Sequence, residues 1–172
     1  HVGTLGSLGG TVPVTLAGAL ALHLAELLFI NILNRAFFDT KTLYFSNSIS
    51  VLDMSSAVFQ YGRPEQTLLN IAGAQIAKYL GANFGGHSGL SDAKMPSCEA
   101  GIQKVSSVIF NAASSGRGNI AAGLLGVDEI FSPIQMILDD EITGALNRIS
   151  SGFEVNDETL ALDVIKSVGN GG

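Results

Sequence analysis

Apolar positions recur at helical spacing in long stretches, and short β-favouring runs ending in glycine or small polar residues separate them. The opening, Val2 to Thr11, alternates small apolar residues with Gly3, Gly6, Gly9 and Gly10, and reads as a strand running into a glycine loop. Pro13 suits a first helical turn, and Val14 to Leu33 fills a long helix. Thr42 to Phe45 favours a strand and leads into the polar run Ser46-Asn47-Ser48. Pro64 and Glu65 open a helix carrying Leu68, Leu69, Ala72, Ile76 and Tyr79 before Gly81, and Phe84 centres the next strand. Ser97 is placed to cap a helix through Ile102, Val105, Ile109 and Ala113, and Asn119 to Ala122 reads as one more brief strand. Ser132, Pro133 and Gln135 start a helix to about Ile149, and Asn156, with Asp157 and Glu158 behind it, starts a last one ending near Gly169.

Strand starts near positions 4, 43, 83 and 119 recur at roughly 36 to 40 residues, the signature of consecutive βα units. The fold class is therefore α/β. The single segment 1–172 makes about half of a TIM (β/α)8 barrel, which usually needs about 250 residues. A self-contained, doubly wound four-strand domain is the alternative, although such a domain predicts a cleaner cofactor fingerprint than this chain carries.

Composition supports buried strands: 47% of residues are hydrophobic, 14% are charged and the mean hydropathy is +0.38, which excludes disorder. A net charge of −6 argues against nucleic acid and against an anionic membrane surface. The lone Cys98 makes no internal disulfide and no Cys/His spacing resembles a metal site, so a reducing, cytoplasmic location is expected, with no metal. The chain begins at His1 and stops on Gly169-Asn170-Gly171-Gly172, which suggests a piece of a longer polypeptide. The run Val12 to Leu33 is long enough for a bilayer, but His23 and Glu26 sit near its centre and no basic cluster flanks it. A core-facing helix and no membrane role are expected.

Chemistry concentrates between Asn83 and Lys94, where a short strand breaks on Gly85-Gly86 and releases His87, Ser88 and Asp92 in one loop. A solvated loop is the plainer reading of such a segment. His87 is the only histidine on a candidate active-site loop. His23, within an apolar helix, suits a satisfied packing role, and Asp139-Asp140-Glu141 suits a solvated helix face or a partner contact. Ser46, Asn47 and Ser48 would face His87, Ser88 and Asp92 across adjacent strands, with Tyr44, Phe45 and Phe84 nearby and Gly86 at the strand end. Aromatic faces beside a carboxylate suit a small cation such as a quaternary amine. Nucleotide motifs fail: Gly6 to Thr11 lacks the P-loop lysine, and Gly116-Arg117-Gly118 follows a helix where the dinucleotide motif requires a strand. No serine stands in a nucleophile-elbow frame.

Pro13 to Leu22 with Ala25-Glu26, Asp53-Met54, Gly62-x-Pro64-Glu65, Ala74-Gln75, Ser91 to Lys94 and Ala100-Gly101 together resemble the trimethylamine methyltransferase family. So do Asp139 to Ile142, Glu154 to Ile165 and Val168-Gly169, with the blocks in family order over nearly the whole chain. The resemblance implies a TIM-barrel enzyme moving a methyl group from a small methylated amine to the cobalt of a separate corrinoid protein, with no cofactor bound directly. No pyrrolysine is present, which resembles the family branch acting on glycine betaine or similar quaternary amines. In such an enzyme the strand ends would hold the substrate, which makes His87 and Asp92 the candidate catalytic residues, for orientation and charge balance, and Tyr44, Ser46, Asn47, Ser48, Phe84, Gly86 and Ser88 the candidate substrate-binding ones. The chain departs from the family at Asn119 to Gly123, where a histidine is missing, and at Pro96 to Glu99. A half barrel leaves sheet edges to cover, so a homo-oligomer or completion by another chain is expected, and a non-catalytic barrel subunit is the alternative function.

Overall fold

The computed structural model describes residues 4–170. His1, Val2 and Gly3, at the head of the predicted first strand, and Gly171 and Gly172, in the terminal turn, lie outside the described residues. In chain order the elements are β1 (Ser7–Leu8), α1 (Leu16–Phe38), β2 (Tyr44–Asn47), β3 (Ser50–Asp53), β4 (Val58–Gln60), α2 (Pro64–Tyr79) and β5 (Asn83–Gly86). There follow α3 (Cys98–Ser115), β6 (Leu124–Leu125), β7 (Ile130–Phe131), α4 (Pro133–Ser150), α5 (Asp157–Leu160) and α6 (Leu162–Val168).

The predicted second and third strands pair in parallel, with Tyr44 opposite Asn83 and Asn47 opposite Gly86. A parallel pair needs a crossover, and α2 supplies it. The sequence reading missed the antiparallel hairpin of β3 and β4 inside that crossover. Its turn is closed by Asp53, whose carboxylate accepts from the Ser55 amide at 2.9 Å and from the hydroxyls of Ser55 and Ser56 at 2.8 and 2.7 Å. Those bonds hold its carboxyl down at about 2. A brief interruption at Ser48 and Ile49 separates β2 from β3 and hands the pairing over. Below it β2 pairs with β5, and above it β3 pairs in parallel with β1 and antiparallel with β4.

The predicted strand at Asn119 to Ala122 is not a strand. The segment lies beside the continuation of β5, but one backbone bond, Ala121 N–H to Gly89 O at 3.3 Å, is all the pairing there. Gly89 takes a left-handed backbone (φ 70) and presses against Asn119 and Ile120, so no straight ladder forms. The strand signal falls instead on the β6–β7 hairpin a few residues later. Among the described residues the strands form three separate small sheets and no closed one.

Helix boundaries follow the caps closely. Ser97 accepts from the Ala100 amide at 3.2 Å and Ser132 from the Gln135 amide at 3.3 Å, while Asn156 and Thr159 close a reciprocal capping box. The last predicted helix is broken into α5 and α6 because Ala161 is left-handed (φ 48), which ends one turn and begins the next. The burial direction differs from the expectation. Ile102, Ile109, Leu68 and Tyr79, the apolar positions at helical spacing, are exposed. The inner stripe of α2 is Gln66, Leu69, Asn70, Gly73, Ala74 and Ala77, and that of α3 is Ala100, Lys104, Ser107, Val108 and Asn111. Small and polar side chains therefore line the inside of both helices.

The expected core-facing role of α1 holds for one stripe only: Ala19, His23 and Leu27 are buried, whereas Leu22, Phe29, Ile32, Phe37 and Phe38 are exposed. By length and composition α1 could cross a membrane. Its polar residues instead clamp it to β2: Asn31 donates to Tyr44 O at 2.9 Å and accepts from Tyr44 N–H at 3.0 Å. His23 has the satisfied packing role expected of it. It is fully buried and bridges Thr4 Oγ1 (2.8 Å) and the Ser46 carbonyl (2.6 Å). A carbonyl only accepts, so Nε2 carries the proton and Nδ1 receives the Thr4 hydroxyl. Burial lowers the imidazole pKa below 6.5, against a smaller upward pull from that Ser46 bond.

Candidate functional site

Two connections meet beyond the carboxyl ends of β2 and β5. One carries the β3–β4 hairpin and ends on Tyr61 at the approach to α2; the other runs from His87 through Asp92 to α3. A direct bond joins them, from the Tyr61 amide to Asp92 Oδ1 at 2.7 Å. The Tyr61 ring lies nearly parallel to the His87 imidazole, at 6.1 Å between centroids and 22° between planes. His87 is exposed, so this face opens to solvent. Asp92 is held from the other side by Gln103, whose Oε1 accepts from the Asp92 amide at 2.9 Å and from Ser91 Oγ at 2.8 Å. Its second oxygen, Oδ2, is buried and has no hydrogen-bond partner. A desolvated carboxylate oxygen without a donor is an unmet polar group in need of a positive neighbour.

Beneath this pair lies an amide network. Asn47 donates to Asn70 Oδ1 at 2.7 Å, and Asn70 donates to the His87 carbonyl at 2.5 Å, so the inner face of α2 fixes the backbone from which His87 projects. Gly86 lets this happen: a β-carbon there would meet Asn111 Oδ1 at 2.9 Å and Asn70 Oδ1 at 3.0 Å. Ser88 is buried and fully engaged, donating to Asn119 O at 2.7 Å and accepting from the Asn119 amide at 3.3 Å.

The candidate residues therefore divide by position. His87 and Asp92 stand together with Tyr61 at the open strand ends. Asn47, Ser48 and Ser88 are buried around the strand ends, and Ser46 gives its carbonyl to His23. Tyr44 and Phe84 lie lower in the parallel pair, where Phe84 stacks on buried Phe45 at 6.4 Å and packs into the core with Leu27 and Ala77. The aromatic ring beside the carboxylate is thus Tyr61, which the sequence reading did not select. Its phenol pKa is raised by burial and, secondarily, by the charge of Asp128.

The sequence reading gave Asp139, with Asp140 and Glu141, to a solvated helix face or a partner contact, and for Asp139 that is corrected. Asp140 and Glu141 are exposed, but Asp139 and Lys104 form an ion pair at 2.7 Å with both side chains 0% exposed. Asp139 also accepts from the Gly123 amide and from Gln135 Nε2, each at 2.8 Å, and Lys104 donates to the Ala121 carbonyl at 2.8 Å. The pair ties α3, α4 and the segment before β6 together. A groove of about 580 Å³ beside it is lined by Ala122, Pro133, Met136, Ile137, Asp139, Asp140 and Thr143, away from His87. Among the described residues no three of His, Cys, Asp and Glu converge as metal ligands.

Comparison with known proteins gives this geometry a context. A protein named trimethylamine methyltransferase MttB from Desulfitobacterium hafniense is 30% identical over 169 residues, covering 98% of this chain and 34% of its own length. The protein of the same name from Methanosarcina barkeri is 31% identical over 163 residues, covering 95% of this chain and 33% of its own. A glycine betaine methyltransferase from Desulfitobacterium hafniense is 33% identical over 168 residues, covering 95% of this chain and 34% of its own. The chain thus spans about a third of the length of the curated relatives it matches. The profile of the family described as Trimethylamine methyltransferase (MTTB) matches residues 3–172, and the chain belongs to that family.

Proposed function

We propose that this chain forms part of a βα barrel that transfers a methyl group from a methylated amine, most readily a quaternary one, to a corrinoid carried by a separate protein. The observation that carries the reading is the family match along residues 3–172, among relatives named for trimethylamine and for glycine betaine. The parallel β2–β5 pair supports it, because an α/β barrel places its chemistry on loops leaving the carboxyl ends of its strands.

The corrinoid, when its carrier docks, supplies the nucleophile that accepts the methyl group. The chain's own residues bind and orient the amine. In a quaternary amine the breaking C–N bond returns its electron pair to nitrogen and leaves a neutral tertiary amine, so the departing group needs no proton. Asp92 balances the substrate's charge, and His87, anchored through its backbone by Asn70, sets the orientation. Asn47, Ser48, Gly86 and Ser88 shape the strand ends around them, while Tyr44, Ser46 and Phe84 support the parallel pair from below. Exposed apolar side chains on α1, α2 and α4, among them Phe37, Leu68 and Ile137, are surfaces for the remainder of a barrel or for a second copy of the chain. A cytoplasmic setting suits a low-valent corrinoid.

The second reading is a non-catalytic barrel subunit, and the internal bonding of Asn47 and Ser88 favours it. The two are separated by mixing the full chain with reduced corrinoid protein and a panel of methylated amines, then following the corrinoid absorption spectrum. Amine-dependent methylation is the expected result. A spectrum unchanged by every amine leaves the structural role.

A further inference from the structure

We propose that the cavity between the carboxyl-terminal ends of α2 and α3 is a binding site for a small carboxylate carried on an apolar body. It lies where β5 begins, at the opposite end of the β2–β5 pair from His87 and Asp92. It stands independently of the methyl-transfer reading.

The first observation is charge. The cavity, of about 290 Å³, takes Lys78 from the last turn of α2 and Arg117 from the turn after α3, and no acidic residue lines it. Carboxylates outnumber basic residues 15 to 9 along the chain, so a cavity whose only formal charges are positive runs against the composition. Neither charge is spent within the chain. Among the described residues the ion pair is Lys104 with Asp139, and the side chains of Lys78, Arg117 and the neighbouring Asn83 make no hydrogen bond.

The second observation concerns the helix ends, whose free carbonyls commonly account for nearby cations. Here backbone amides already close both. Leu80 N–H donates to Ile76 O at 3.0 Å, Gly81 N–H to Lys78 O at 3.2 Å and Ala82 N–H to Ala77 O at 2.8 Å. Gly116 N–H closes α3 on Ala112 O at 2.8 Å. The turn that presents Arg117 is itself fixed: buried Asn111 donates to Arg117 O at 3.0 Å, and Ser115 Oγ accepts from Arg117 N–H at 3.3 Å. The backbone is pinned and the guanidinium is left over.

The surroundings select the ligand. Two helix ends carry together about one negative charge against the two cations, which leaves about one positive charge to be met. A monoanion matches that balance better than a phosphate dianion. The planar guanidinium fork fits a carboxylate, with Lys78 as a point charge and Asn83 as a neutral donor. Ala77, Ala82 and the Phe84 ring give the cavity an apolar floor, which calls for an apolar body behind the carboxylate.

The test is an NMR-monitored titration of the full chain with benzoate. Benzamide serves as the neutral control of the same shape, acetate as the control without the body, and inorganic phosphate as the dianion. Benzoate should saturate at least about tenfold tighter than any of the three and shift the amides of Asn83, Phe84 and Ser114. Lys78→Met and Arg117→Gln should each weaken it by about three- to tenfold, and Arg117→Lys by less than Arg117→Gln. Both side chains are exposed, so these variants keep the fold, and matching melting temperatures confirm it. No saturable benzoate binding, equal affinity for benzamide, indifference to both charge-removing variants, or shifts confined to the loop from His87 to Asp92 overturns the proposal. Phosphate binding tighter than benzoate overturns the carboxylate assignment.

Discussion

Asp139 and Asp92 are both held from α3, the first at its carboxylate by Lys104 and the second at its backbone amide by Gln103, yet their carboxylates are finished to opposite degrees. Asp139 receives a lysine, a glutamine amide and a backbone amide, and no solvent reaches it. Asp92 receives the Tyr61 amide on one oxygen and nothing on the other. A satisfied buried carboxylate is a brace, since both of its oxygens are already engaged. A carboxylate held rigidly with one oxygen unused is positioned to meet a ligand. Partner count thus separates the two roles where residue type does not.

The comparison breaks most visibly at the brace. Lys104→Met strands Asp139 as an uncompensated buried charge and should lower unfolding free energy by about 3 to 5 kcal/mol in urea denaturation. Adding Asp139→Leu should recover much of the loss, because an apolar pair removes the stranded charge. Asp92→Asn keeps an acceptor for the Tyr61 amide and should change stability by less than about 1 kcal/mol. A Lys104→Met loss as small as that would erase the distinction.

His23 supplies an intermediate case, buried and satisfied but titratable. His23→Leu leaves the Ser46 carbonyl without its donor and should destabilise by about 1 to 3 kcal/mol. The imidazole is neutral in the fold and its pKa lies below the ordinary 6.5, so the unfolded chain binds the extra proton first. Its contribution is full above 6.5 and is lost as pH falls from there toward the depressed folded value. Unfolding free energy measured between about pH 7 and 5 should decline in the parent, with a shallower decline in His23→Leu. Identical slopes would mean that the ring is not held neutral.

The smallest effect belongs to Asp53 in the exposed hairpin turn. Its carboxyl pKa is lowered to about 2 by the Ser56 and Ser55 bonds. The stability it lends the turn is therefore present above 3.8 and lost as pH falls through about 2. Carboxyl chemical shifts during an acid titration should show this late protonation, which Ser56→Ala should move upward. A midpoint at the ordinary value in the parent would remove the turn's carboxylate clamp.

Helix starts were legible because caps are local chemistry: Ser97, Ser132 and Asn156 bond to amides three residues away. The β2–β5 pair was legible from its spacing and its β-favouring residues. The inward faces of α2 and α3 were not, because a search for apolar stripes finds Ile102 and Ile109, which point outward. The inward stripe is marked instead by Gln66 and Asn70 on α2, and by Lys104, Ser107 and Asn111 on α3, at helical spacing among small residues. That polar periodicity was the available signal for both the brace and the amide network. His87 and Asp92 announced themselves by following a glycine break. Tyr61 did not, because its partner lies 31 residues away and depends on the hairpin that precedes it.

The central claim is that the loop carrying His87 and Asp92 holds the amine for methyl transfer. Single-turnover methylation of the corrinoid partner by the full chain tests it most directly, comparing the parent with His87→Ala and Asp92→Asn at matched stability. Asp92→Asn should raise the quaternary amine concentration needed for half-maximal rate by about tenfold, and His87→Ala should lower the maximal rate through misorientation. Unchanged rates and half-saturation in both variants would contradict the account and remove this loop from the site.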